Sequence, residues 1–225
     1  VSNSLSRIAW NGSQYVVVGD GVVLTSNDGI IWTIKQNGTS SDLYGIAYNG
    51  LRYVAVGGNL QTAYPLNTYG AIVTSTDGMN WSTVPSLPVS SQFSAVIYAN
   101  NQFVAVGNNS MVMTSSDGVT WTLSNTGIAT TPGLKLLNAF WSNSYNLYFA
   151  VGAIYNRAGT ATTGVMYSSP DAKNWTTVAA PARVTQLQGF TENNGVCVLI
   201  STAFPYAYTS NTANGCNTAN PTWTA

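Results

Sequence analysis

The chain has 225 residues, 45% hydrophobic and only 6% charged, with seven basic and seven acidic side chains, no histidine and no net charge. That balance supports a packed core but lacks the clustered Lys and Arg that nucleic acid or an anionic membrane surface requires. No apolar run approaches the ~18 residues of a membrane-spanning helix, so neither a nucleic-acid partner nor membrane insertion is expected.

Taken from the N-terminus, RIAWNG, with Trp10, predicts a first strand and an Asn-Gly turn. QYVVVG, ending at Gly19, predicts a second strand, and VVLTS a third. TSNDGIIWT then predicts a tight turn and a fourth strand carrying Trp32. The order returns: GIAYNG with Tyr48, RYVAVG to Gly57, TSTDGMNWS with Trp81; then VIYANN with Tyr98, QFVAVG to Gly107, TSSDGVTWT with Trp121. A fourth copy has AFWSNS with Trp141, LYFAVG to Gly152 and SSPDAKNWT with Trp175. A fifth is degraded to QGFTEN around Phe190, GVCVLI to Ile200, and Trp223. The motif Trp recurs at intervals of roughly 40–54 residues, the range of propeller repeats. No long window shows helical periodicity.

The fold class predicted is all-β: a five-bladed β-propeller with four antiparallel strands per blade, approximately residues 1–38, 39–86, 87–127, 128–180 and 181–225. These blades form one domain. Each blade reads as complete, so closure is expected by packing of the last blade on the first, without strand exchange. The start at Val1, with no initiator Met, predicts a mature form or a domain of a longer protein.

Cys197 falls near the start of the fifth unit's second strand and Cys216 in its third-to-fourth turn. Adjacent strands of a meander bring those points to the same end, which predicts a disulfide. Two free thiols are the alternative. A disulfide in an Asn/Thr/Ser-rich chain suggests an extracellular or surface-exposed setting.

The recurring phrase has a physical reading. Asp28, Asp77, Asp117 and Asp171 suit acceptance of backbone N–H groups, as in an Asx-turn. Gly29, Gly78 and Gly118 supply positive φ, and Trp32, Trp81, Trp121 and Trp175 fold a large apolar face under the turn. Ser26, Ser75, Ser115 and Ser169 open each phrase. The pattern S-x-D-G-x-x-W resembles the Asp-box of BNR-type repeats, known in sialidases and in many non-enzymatic propellers. The resemblance covers four of the five units, with Ala172 for Gly in the fourth, where a looser turn is expected. It implies that these residues are scaffold, on the face away from the ligand.

On the other face, the second-to-third turns of units two and four carry the inserts GNLQTAYPLNTYG and AIYNRAGTATTG, and unit five adds TAFPYAY. Function tends to sit on loops held by a rigid scaffold. The candidate ligand-binding residues are therefore Tyr64, Tyr69, Tyr155, Asn156, Arg157, Phe204 and Tyr206. Rings, amides and hydroxyls of this kind suit a sugar, although aromatics also pin loops down. Trp10, Tyr48, Tyr98 and Trp141 read as packing between blades, and Asp20 as a turn former.

Catalysis is not expected. Without histidine there is no Ser/His/Asp or Cys/His machinery and no His metal ligand. Setting the four motif aspartates aside leaves Asp20, Asp42 and Glu192 as the remaining acids, with no spacing that indicates a glycosidase pair. The sialidase branch of the resemblance fails on Arg7, Arg52, Arg157 and Arg183, whose contexts do not match a carboxylate-binding arginine triad. Nor is a metal or any other cofactor expected. The architecture is similar to five-bladed propeller lectins of the tachylectin kind, which implies recognition of a glycan or a cell-surface receptor. The alternative is a protein-interaction propeller, since VAVG followed by the motif is also similar to photosystem II assembly-factor repeats, which hold protein partners.

Overall fold

A computed structural model describes residues 4–60, 68–85, 87, 91–124, 127–128, 131–202, 206–210, 216 and 221–225. No helix among them is long and apolar enough to cross a membrane. The chain is all-β and folds into five antiparallel sheets, whose strands follow each other in sequence order. Sheet one comprises β1 (Leu5–Trp10), β2 (Tyr15–Gly19), β3 (Val22–Ser26) and β4 (Thr33–Lys35). Sheet two comprises β5 (Leu43–Tyr48), β6 (Tyr53–Leu60), β7 (Thr68–Ser75) and β8 (Ser82–Thr83). Sheet three comprises β9 (Phe93–Ala99), β10 (Gln102–Gly107), β11 (Val112–Ser115) and β12 (Thr122–Leu123). Sheet four comprises β13 (Leu134–Ser142), β14 (Leu147–Tyr155), β15 (Ala161–Ser169) and β16 (Thr176–Val178). Sheet five has three strands, β17 (Leu187–Asn193), β18 (Val196–Ser201) and β19 (Ala207–Ser210).

Among the described residues the fifth sheet has three of the expected four strands. Around Trp223 a single bridge stands where the fourth strand was expected: Thr209 and Thr224 exchange N–H···O bonds of 2.7 and 2.8 Å. The Trp223 indole donates to the Ala179 carbonyl at 2.8 Å. This segment has the tryptophan but not the Ser, Asp and Gly that shape the other turns.

Two compact units divide the chain. Val1–Ala105 with Met113–Leu123 form one; Val106–Val112 with Ser124–Ala225 form the other. In the first unit, sheet one packs on sheet two: Val16, Val18 and Val23 bury against Leu43, Ile46, Ala55, Val73 and Trp81. In the second, Phe149, Val151 and Met166 of sheet four bury against Leu187, Phe190 and Leu199 of sheet five. Valine, isoleucine and phenylalanine alternating along the strands supply both faces of each buried layer, which is why the VAV runs are nearly continuous in apolar residues.

The glycine that closes each of these runs has a steric cause. The first strand of sheets one, two, four and five carries a bulge, at Leu5/Arg7, Leu43/Gly45, Leu136/Asn138 and Leu187/Gly189. The bulge presses a carbonyl onto the second strand. A Cβ on Gly19, Gly57 or Gly152 would lie about 2 Å from the carbonyl oxygen of Ser4, Asp42 or Lys135.

The aromatic positions stack within their own sheet rather than between sheets. Trp10 pairs across to Tyr15, Tyr48 to Tyr53 and Trp141 to Tyr148, with centroids 4.2, 4.4 and 4.5 Å apart. Tyr98 and Phe103 lie 4.8 Å apart. The motif tryptophan extends three of these stacks: Tyr15–Trp32, Tyr53–Trp81 and Phe103–Trp121 at 6.2–6.4 Å. Sheet five has Glu192 and Cys197 at the paired positions instead. There the predicted disulfide, Cys197–Cys216, joins residues 19 apart in sequence and is fully buried.

Candidate functional site

One end of the sheets is scaffold. In the first motif turn the Ser26 hydroxyl donates to Asp28 Oδ1 at 2.9 Å and accepts from Gly29 N–H at 2.9 Å. Asp28 Oδ1 accepts the N–H groups of Ile30 and Ile31, and the Trp32 indole donates to the Gly29 carbonyl at 3.1 Å. Asp77 and Asp117 repeat this with Met79 and Asn80, and with Val119 and Thr120. Ser75 and Ser115 bond the next Asp and Gly in the same way, and Trp81 and Trp121 each donate at 3.1 Å to Gly78 and Gly118. Burial of Asp117 works against its charge, but the N–H donors of Thr120 and Val119 outweigh it and bring the pKa down to about 2. For Asp171 the same balance, with Asn174 and Lys173 donating, also ends at about 2.

The fourth turn forms despite Ala172. Ser169 donates to Asp171, which accepts from Lys173 and Asn174 at 2.8 Å. Ala172 is driven into the left-handed region, φ 59°, where the glycines of the other turns sit. The cost shows in the buried Trp175 indole, which has no hydrogen-bond partner among the described residues. A polar depression of about 320 Å3 lies beside the first turn, between Gln14, Ser26, Asp28, Lys35 and Met79. Asp28 Oδ1 is already committed there to the turn's own N–H groups.

The opposite end carries the second-to-third turns and the starts of the first strands. In the first unit these turns and strand ends carry Asp20, Asp42, Tyr44, Asn59 and Gln92, all half-buried. The N–H of Asp42 donates to Asn59 Oδ1 at 3.0 Å, and Asn59 Nδ2 donates to the Ser40 carbonyl at 3.1 Å. Gln92 Nε2 reaches both the Tyr44 hydroxyl, at 3.3 Å, and the Gly58 carbonyl, at 3.1 Å. Tyr44 also interacts with the Asp42 carboxylate. Burial first, then the negative charges of Asp42 and Asp20, push its pKa up. The phenol stays protonated, which suits a hydrogen-bonding group and disfavours a nucleophile. Two carboxylates acting on one phenol make this an acidic cluster, a setting that attracts a positive charge. Among the described residues no three His, Cys, Asp or Glu side chains converge as a metal site would require.

The insert residues are placed as follows. Tyr64 and Phe204 lie outside the described residues. Tyr69 is on β7, exposed, in the first unit. In the second unit the insert lengthens β14 and β15 to nine residues each and ends in a tight turn. Asn156 makes that turn: its Oδ1 accepts from Ala158 and Thr160, at 2.9 and 3.0 Å. Tyr155 is half-buried, with Lys135 Nζ 4.8 Å from its ring centroid, and burial raises its pKa. Arg157 stands exposed at the tip, and Tyr206 is 63% exposed at the start of the fifth sheet's third strand region. The remaining acid, Glu192, is structural: it accepts from Ser142 Oγ at 2.7 Å and Gly195 N–H at 2.8 Å.

Sequence reasoning missed Tyr44, Asn59 and Gln92. Its only signal was that Asp20 and Asp42 remained once the motif aspartates were set aside.

No protein-family model and no curated protein sequence matches the chain. Solved structures do. YCF48 bound to D1 peptide is similar over 99% of this chain and 66% of that one, with 14% identity and a TM-score of 0.68. YCF48 from Cyanidioschyzon merolae gives 14% identity and 0.67 over 99% of this chain and 71% of that one. The WD40 β-propeller domain of Doa1 gives 10% and 0.65, over 98% and 68%. The fold is that of a β-propeller. The chain spans about two thirds of the length of the first of these structures.

Proposed function

We propose that the five sheets are blades of a non-enzymatic propeller that holds a protein partner. Its acidic cluster, Asp20, Asp42 and Tyr44, receives a cationic side chain of that partner. The observation that carries this reading is the convergence of two carboxylates on one protonated phenol at the end opposite the motif turns. Asn59 and Gln92 add amide groups beside it. Lys and Arg side chains match that cluster in charge and hydrogen-bonding sense, since both are pure donors. A similar fold, in YCF48, is found bound to D1 peptide, which favours a peptide or protein partner over a glycan. The buried disulfide and the scarcity of charge favour an extracellular or surface setting.

The test is a pair of screens of the labelled chain, one on an array of overlapping peptides and one on a glycan array. Peptide hits enriched in Lys or Arg, and lost in Asp42→Asn, support the reading. Reproducible glycan hits with no peptide hits would replace it with a lectin function.

A further inference from the structure

The first motif turn differs from the other three at one position. In the others the residue before the tryptophan carries a donor group. Asn80 Nδ2 donates to Asp77 Oδ2 at 2.7 Å, and Asn174 Nδ2 to Asp171 Oδ2 at 2.8 Å. The Thr120 side chain interacts with the Asp117 carboxylate. The first turn has Ile31 there, whose side chain has no donor. The bonds that the Asp28 carboxylate accepts, from Ser26, Ile30 and Ile31, all fall on Oδ1. Its Oδ2 therefore remains available to the depression of about 320 Å3 that Asp28 and Ile31 line.

That depression is lined by sheet one and by Met79 of the second motif turn, all within one compact unit. Thr25 pairs with Val16 on one side and Thr33 on the other, and Lys35 pairs with Val23. Side chains at paired positions share one face of a sheet, and on this face Val16 and Val23 bury against sheet two. Thr25, Thr33 and Lys35 continue the same face in polar groups. In sheet two the equivalent positions are filled. Arg52 holds the place of Gln14, just before the tyrosine that opens the second strand, and its Nη1 reaches Thr74 Oγ1 at 3.4 Å. Val84, buried, holds the place of Lys35. The shorter Gln14 leaves the space open in sheet one, and Lys35 gives it a positive charge.

We propose that this depression binds a free α-amino acid, its carboxylate on Lys35 and its ammonium on Asp28 Oδ2. A ligand with one charge alone would meet a repelling group: Asp28 disfavours an anion and Lys35 a cation. An amino acid carries both charges and no net charge. The Thr25 and Thr33 hydroxyls and the Gln14 amide supply further donors and acceptors for its two charged groups. Ile31 and Met79 border the space with apolar surface for the ligand's side chain. The volume lies at the lower end of the roughly 300–1,000 Å3 of small-molecule sites. None of these residues belongs to the acidic cluster, so either site can fail without the other.

NMR titration of the isotope-labelled chain with L-leucine, read on the backbone amide signals, tests this. Acetate, methylammonium and glucose are the comparison probes: one charge, the other charge, and hydroxyls without charge. The expected result is saturable shifts around Gln14, Thr25, Asp28 and Lys35 with L-leucine, and none with the other three at the same concentrations. Ile31→Asn installs the donor that Asn80 and Asn174 supply in their own turns, and Lys35→Met removes the cation. Each is expected to weaken Kd by about tenfold or more. Ile31 is 72% exposed, so its variant should fold, which calorimetry checks; if Lys35→Met does not fold, Ile31→Asn decides alone. No saturable shift with L-leucine overturns the inference. So does glucose binding at these residues, which would make the site one for neutral hydroxyls, or a folded variant that binds L-leucine as the wild type does.

Discussion

Tyr53→Phe should make the protein more stable. Tyr53 is fully buried, stacked on Tyr48 at 4.4 Å and on Trp81 at 6.2 Å. Its hydroxyl has no hydrogen-bond partner among the described residues. Burial, with a smaller contribution from Tyr48, pushes its pKa up to about 12. The same protein supplies the control, because Phe103 fills the equivalent place in sheet three. Phe103 stacks on Tyr98 at 4.8 Å and on Trp121 at 6.4 Å without a hydroxyl. The ring contacts therefore do not depend on the oxygen. A buried, unsatisfied hydroxyl costs about 1–3 kcal/mol, and the small void left by removing it takes back part of the gain. The expected net stabilisation is about 1 kcal/mol, which raises Tm by about 2–4 °C in a chain of this size. Scanning calorimetry reads it directly. The reverse change, Phe103→Tyr, should lower Tm by at least as much, since it buries a hydroxyl in a filled site. A lower Tm for Tyr53→Phe would show that the hydroxyl is satisfied, and would refute the reasoning.

Asp77→Ala removes the acceptor for two N–H groups and for the Ser75 hydroxyl, and should cost about 1–2 kcal/mol in urea unfolding while leaving partner binding unchanged. Loss of binding with an intact fold would mean that the motif end is the functional one. Acid should unfold the protein through these turns. All four motif carboxyls lie below their ordinary range when folded, with Asp117 and Asp171 at about 2. The unfolded chain, with pKa near ~3.9, binds more protons as pH falls, so the stability is present above pH ~4 and lost as pH drops to ~2. For Asp117, which is exposed, and Asp171, which is half-buried, solvent screening reduces this to on the order of 1 kcal/mol each. Urea midpoints that stay flat across that window would contradict it. Reducing Cys197–Cys216 should cost roughly 3 kcal/mol, because the fifth sheet has this link where the others have the aromatic stack. An unchanged Tm in reductant, with both thiols shown to be free, would count against it.

The motif turns were legible in the sequence because every contact that shapes them falls within the seven residues from Ser26 to Trp32. The strands followed, since their apolar runs are bounded by turn residues. The acidic cluster was not legible. Asp20, Asp42 and Gln92 come from three different sheets, and only the packed order of those sheets brings them to one end. The insert tyrosines attracted attention by composition, yet Asn156 turned out to shape its own turn and Tyr155 to lie half-buried under Lys135. The fifth sheet misled for the opposite reason. Trp223 looked like a motif residue, but a tryptophan alone does not make the turn.

The central claim is that the acidic cluster receives a cation from a protein partner. The most direct test is calorimetric titration of the strongest array peptide into the wild type and into Asp20→Asn with Asp42→Asn, at low and high salt. The account predicts at least about a tenfold weaker Kd for the double variant, an unchanged Tm, and a salt dependence that the variant loses. Equal affinity for both proteins, with the fold intact, would contradict it.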